Sequence, residues 1–197
     1  MSENDRDQLK SHLIVPLAVS DILYHDLDVA PDMQYGLHMA LSEIDPDSAL
    51  LAIALCAHDI AEKNLIYVPI ASALKKEADN IIEEYGRTWL RHHNNGPMPS
   101  DIYASILCTV GEDLEALADL MDALCADLDI VNEATPILCN LLSVQARAHI
   151  EITDFILAEI KSDHDMMAAP AEETAPVAEK QAEFAGDNII LFPGTAK

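Results

Sequence analysis

The chain has 197 residues, half of them apolar and 5% aromatic, and 35 acidic against 11 basic residues give a formal net charge of −24. So large an apolar share excludes a chain disordered throughout. So acidic a chain, with no basic cluster larger than Lys75-Lys76, is not expected to bind nucleic acid through its phosphates.

The length suits one domain, or one domain with a tail. Apolar residues recur at helical spacing over residues 7–162, with no stretch of strand alternation. A first helix is expected over Asp7–Asp28, with Leu9, Leu13, Leu17, Tyr24 and Leu27 on its inner face. Pro16 should kink or break it, because proline lacks an N–H and clashes with the preceding turn. Ala30-Pro31-Asp32 punctuates, and a short helix follows over Met33–Glu43. Asp45 reads as the N-cap, and Pro46 as the first residue, of a third helix ending near Asn64. A fourth covers Pro69–His92 and carries Ile70, Leu74, Ile81, Tyr85 and Trp89. Asn94-Asn95-Gly96-Pro97-Met98-Pro99 then reads as a loop.

Ser100 caps the fifth and most regular helix. Leu107, Val110, Leu114, Leu117, Met121, Leu124 and Leu128 alternate three and four residues apart, an unbroken a/d seam. Such a seam requires a long facing helix. The sixth, from Thr135-Pro136 to Ser162, offers Leu138, Leu141, Leu142, Val144, Ile152, Phe155, Ile156 and Ile160. A short link makes the two an antiparallel hairpin. The expected fold is therefore all-α, an antiparallel bundle of five or six helices within residues 1–163. The seam would also suit pairing of two copies as a homodimer.

Composition changes after His164. Residues 164–186 read as a disordered Ala/Pro/Glu linker, and 187–197 as a short apolar docking segment. Ile189, Ile190, Leu191 and Phe192 form its apolar run. Exposed apolar runs on a linker serve contact with another protein, or fold back onto their own domain. Asn188-Ile189-Ile190-Leu191-Phe192 resembles the bacterial sliding-clamp-binding pentapeptide, Gln-Leu-(Ser/Asp)-Leu-Phe, through Leu191 and Phe192, while Asn188 and Ile189 depart from it.

A second candidate contact is an acid row. Glu112, Glu115, Asp119 and Asp122 are spaced three, four and three apart, which lines them along one face of the fifth helix, away from its seam. Residues 100–163 hold 13 acids against Arg147 and Lys161. Such a face solvates the protein, or meets a basic partner, or mimics the phosphates of DNA.

Histidine supplies the third candidate. His58-Asp59, with Glu62 one turn on, resembles the start of the phosphoacceptor box of histidine kinases, in which an acid beside a helical His assists the imidazole. The resemblance ends after Ile60, since Ala61, Glu62 and Lys63 depart from the box. His58 and Glu62 at i, i+4 also make half of a metal site. Glu-x-x-His pairs for a di-iron bundle, Gly-x-Ser-x-Gly and phosphate-cradling glycine loops do not occur. Cys56, Cys108, Cys125 and Cys139 form no C-x-x-C pair and read as reduced core thiols. The acidic start Met1-Ser2-Glu3-Asn4-Asp5 is unlike a secretory signal, and no apolar stretch reaches the ~20 residues that span a bilayer.

These features lead to one expectation. The chain is a non-enzymatic cytoplasmic adaptor or regulator without cofactor or membrane contact. It binds a protein partner through Ile189–Phe192 and through the Glu112–Asp122 row. A phosphotransfer or metal-binding bundle using His58, and a DNA mimic, are the alternatives.

Overall fold

The computed structural model describes residues 1–25, 31–65, 69–127 and 134–168. Its helices are Glu3–His12 (α1), Ile14–His25 (α2), Pro31–Glu43 (α3), Pro46–Asn64 (α4), Ile70–Ile81 (α5), Arg87–Asn95 (α6), Ser100–Asp127 (α7) and Ala134–Ala168 (α8). A π turn, Ile82–Gly86, carries α5 into α6 without a break. Counted so, the described residues form seven helices and no strand, the all-α fold that the periodicity demands.

The helix beyond the five or six expected comes from the first segment, which is two helices. α1 ends at the cap Leu13, and α2 begins at Ile14. Pro16 therefore falls in the first turn of α2, where a missing N–H leaves no helical bond unmade. α1 is fixed at its start by a capping box: Ser2 Oγ accepts from the Asp5 N–H, and the Asp5 carboxylate accepts from the Ser2 N–H, both at 3.2 Å.

α4 is the central helix. Asp45 caps it, accepting from the Ser48 N–H at 2.9 Å, and Pro46 opens it. From Ser48 to Ala61 every side chain but Asp59 is buried, as expected of a helix apolar all round. Its many alanines let the neighbouring helices approach closely. α5 returns antiparallel to it, with Lys75 reaching Glu62 at 3.1 Å. The Tyr103 hydroxyl donates to Asp47 at 2.6 Å, which sets the starts of α7 and α4 side by side. The Cys125 thiol meets the Pro136 carbonyl at 3.5 Å, which closes the antiparallel hairpin of α7 and α8. α5 also packs on α7, and α8 on α4, so α4, α5–α6, α7 and α8 make an up-down-up-down bundle. α2 and α3 lie against α4 and α8, and α1 against α6.

The expected seam is buried: Leu107, Val110, Leu114, Leu117, Met121 and Leu124 all face inward. Leu128 lies outside the described residues, as do Leu27 and residues 169–197. α8 continues to Ala168, past the boundary expected at 163. Gly96 ends α6 at φ 116°, a positive φ that glycine adopts without strain, and its N–H donates to the His92 carbonyl at 2.9 Å.

The facing helix departs from expectation. Leu138 and Leu142 are buried with Cys139 and Ala146, but Val144 is 55% exposed, Ile152 36% and Phe155 66%. Ser143, Gln145, His149 and Thr153 point inward instead. α8 is apolar on two faces, and α4 and α7 take the one whose polar groups can be satisfied. Gln145 Nε2 meets His38 Nδ1 at 2.6 Å, and His149 Nδ1 meets the Gln145 carbonyl at 2.9 Å.

Burial lowers the His149 pKa below its ordinary value, the bond to Gln145 only partly opposing it. Below the ordinary histidine pKa the unfolded chain therefore binds a proton that the folded chain refuses. This contribution is whole above pH ~6.5 and is lost as pH falls toward the depressed folded pKa. Urea midpoints taken from pH 7.5 down to 5.5 should fall in the natural chain, and fall less in His149→Gln.

Candidate functional site

His58 lies late in α4 and is 5% exposed. Its Nδ1 is 3.2 Å from Asp59 Oδ1 and 4.0 Å from Glu62 Oε2. Its Nε2 is 3.3 Å from an Arg6 guanidinium nitrogen and 3.5 Å from Asp79 Oδ1. Arg6 also donates to Asp79 at 2.8 Å, and Lys10 stands 3.5 Å from Asp59. Lys75 pairs with Glu62 at 3.1 Å. Arg6, Lys10 and Lys75 thus face Asp59, Glu62 and Asp79 around one imidazole. Burial alone would raise the Asp59 pKa, but the bond to His58 and the charge of Lys10 bring its carboxyl below the usual carboxylate range.

This arrangement has chemical consequences for both His58 readings. A phosphoryl donor approaching Nε2 meets Arg6 and Asp79 first. One ligand atom each from His58, Asp59 and Glu62 lies within 4.8 Å of the others, close enough for one metal ion. Lys10 and Lys75 already occupy those carboxylates, so a cation would have to displace an ammonium group from each. The local pattern His58-Asp59-x-x-Glu62 was visible in the sequence. Arg6, Lys10 and Asp79 were not, because only the docking of α1 and α5 brings them in.

The acid row stands where its spacing put it. Glu112, Glu115, Asp119 and Asp122 are all exposed on α7, opposite the seam. Arg147 of α8 donates to Asp119 and to Asp122, each at 2.8 Å, and among the described residues it is the one cation ion-paired with the row. Hydrogen bonds from Ser143 and Arg147 hold the Asp122 carboxyl below its ordinary pKa. Asp113, one residue from the row, is different. Burial, then the charges of Glu77, Glu84 and Glu112, push its carboxyl up. A raised carboxyl costs stability in full above its folded pKa, and the cost disappears as pH falls through it. Asp113→Asn should therefore raise Tm by about 1–2 °C at pH 7. A thermal scan at pH 4 should show a smaller gain.

The cysteines divide. Burial pushes the Cys56 and Cys139 thiols up to about 12, which leaves them unreactive. Cys125 is half-buried, and Cys108, expected in the core, is exposed. The partner-binding candidates Ile189, Ile190, Leu191 and Phe192 lie outside the described residues. No described helix is long and apolar enough to cross a membrane. Comparison with protein-family models, with curated proteins and with solved structures finds no match for this chain.

Proposed function

We propose that this protein is a non-enzymatic adaptor or regulator that binds a basic protein partner through the outer face of α7, with Ile189–Phe192 as a second contact. The observation that supports the reading most is the row Glu112, Glu115, Asp119 and Asp122, exposed along a helix whose opposite side is locked by a buried seam. Like charges a turn apart destabilise their own helix by a few tenths of a kcal/mol each. A single arginine ion-paired with the row leaves most of that field for a partner's cations.

Affinity capture from native cell extract tests the reading with three baits: the full chain, Glu112→Gln/Glu115→Gln/Asp119→Asn/Asp122→Asn, and a chain ending at Ala185. Partners lost with the row or with the tail support it, and each loss assigns the partner to one contact. Identical sets from all three baits contradict it.

A second reading rests on the cluster of His58, Asp59 and Glu62, which would hold a divalent cation. Calorimetric titration of the purified chain with Zn²⁺ or Mn²⁺ should then give one stoichiometric site, absent in His58→Ala. Equal heats from the two chains would remove it.

A further inference from the structure

We propose that the outward face of α8 is a seat for a basic amphipathic helix, and that the acid row of α7 is the electrostatic edge of that seat. Ile137, Leu141, Val144, Ala148 and Phe155 fall on one line of α8, at steps of four, three, four and seven, with Glu151 in the intervening place and Ile152 beside it. This is heptad spacing, with Val144, Ala148 and Phe155 exposed and Ile137 and Leu141 half-buried at the groove end. From Ile137 to Phe155 the line is about 27 Å long at 1.5 Å per residue. It is not surplus core. The inner side of the same helix holds Ser143, Gln145, His149 and Thr153, while Val144 and Phe155 stay more than half exposed. At the N-terminal end of the line α3 and α8 leave a groove of about 370 Å³, lined by Gln34, Pro136, Ile137, Asn140, Leu141 and Val144. That groove would take an apolar anchor side chain of a visiting helix.

Charge names the occupant. Arg147 adjoins Ala148 of the line and reaches Asp119 and Asp122 across the junction of α7 and α8. The acid row therefore lies across the α7–α8 junction, on the flank of α8 that Arg147 occupies. Arg147 also demonstrates how a cation on that border meets two carboxylates at once. Because α7 and α8 run antiparallel, Glu112 and Glu115 continue the row toward the Phe155 end, and Glu151 and Asp154 are exposed on α8. A helix with apolar residues three and four apart and Lys or Arg along one flank matches both the line and its edge. A second copy would bring another net charge of −24 and a like row. The run Ile189–Phe192 is contiguous rather than spaced, and Asp187 precedes it. This inference rests on the reading that the α7 face binds a basic protein, and adds where and in what form the partner lies.

The test uses the full chain and a synthetic probe: a labelled peptide of three heptads with Leu at a and d and Lys at the flanking positions, followed by fluorescence anisotropy. A peptide with Glu in place of Lys is the control. The Lys peptide should bind and the Glu peptide should not. Val144→Glu and Phe155→Glu should each weaken the Lys peptide about tenfold or more, although each adds negative charge, with helicity and Tm unchanged. Unchanged or tighter binding in these two variants would mean attraction by charge alone, and would overturn the seat while leaving the α7 reading intact. Indifference to Glu112→Gln/Glu115→Gln as well would overturn both. A dimer in sedimentation that Val144→Glu dissociates would assign the face to a second copy. Much tighter peptide binding by Leu191→Asp would assign it to the chain's own tail. Either of these last results also overturns the proposal.

Discussion

Truncating Leu114 to alanine should lower the unfolding free energy by about 3 kcal/mol, which at this chain length is a fall in Tm of about 6–12 °C. Leu114 is fully buried at the middle of the α7 seam, with Val110 and Leu117 buried on either side of it. Alanine there removes apolar burial and leaves a cavity that helices packed on both α5 and α8 cannot close. The contrast is with Phe155, a larger side chain that the structure leaves 66% exposed. Phe155→Ala should cost under about 0.5 kcal/mol. Urea unfolding followed by circular dichroism measures both. A Phe155 cost equal to that of Leu114 would mean that α8 packs with its other face inward.

Replacing Gly86 by leucine should dislodge α1 and cost about 1–3 kcal/mol. Gly86 is buried in the π turn, and a Cβ there would stand 3.1 Å from Leu9 Cδ2 and 3.4 Å from Leu51 Cδ2. Leu9 is the fully buried residue of α1, with Arg6 three residues before it and Lys10 next to it. The small size of residue 86 is thus what lets α1 carry its cations to His58 and Asp59. Histidine resonances in NMR should shift at His58, and limited proteolysis should open residues 1–13. Gly86→Ala should do far less, because a terminal methyl of Leu9 can give way and alanine recovers about 1 kcal/mol of helix propensity. A Gly86→Leu chain with α1 still protected would contradict the account of how the His58 network is assembled.

The contrast between α7 and α8 shows what the sequence could and could not disclose. The α7 seam was legible because its apolar residues occupy one face and its acids another. The start of α4 was legible because Asp45-Pro46 is a chemical signal for a helix N-terminus. The orientation of α8 was not legible. Leu138 and Leu142 share the helix with Val144 and Phe155, and hydrophobicity alone favours neither face. What decided it was long-range: His38 on α3 offers Gln145 a partner, which makes the polar side the one that can be buried. The same holds for His58. Its neighbours Asp59 and Glu62 are local, but Arg6 is 52 residues away in sequence.

Partner contact on the α7–α8 face is read by carbodiimide labelling of carboxylates with glycine ethyl ester, followed by mass spectrometry, on the free chain and on the chain bound to its captured partner. In the free chain Glu112, Glu115 and Asp119 should label readily, and in the complex all three should be protected, together with Glu151 and Asp154 on α8. Equal labelling of these residues in both states, with protection confined to other carboxylates, would contradict the account.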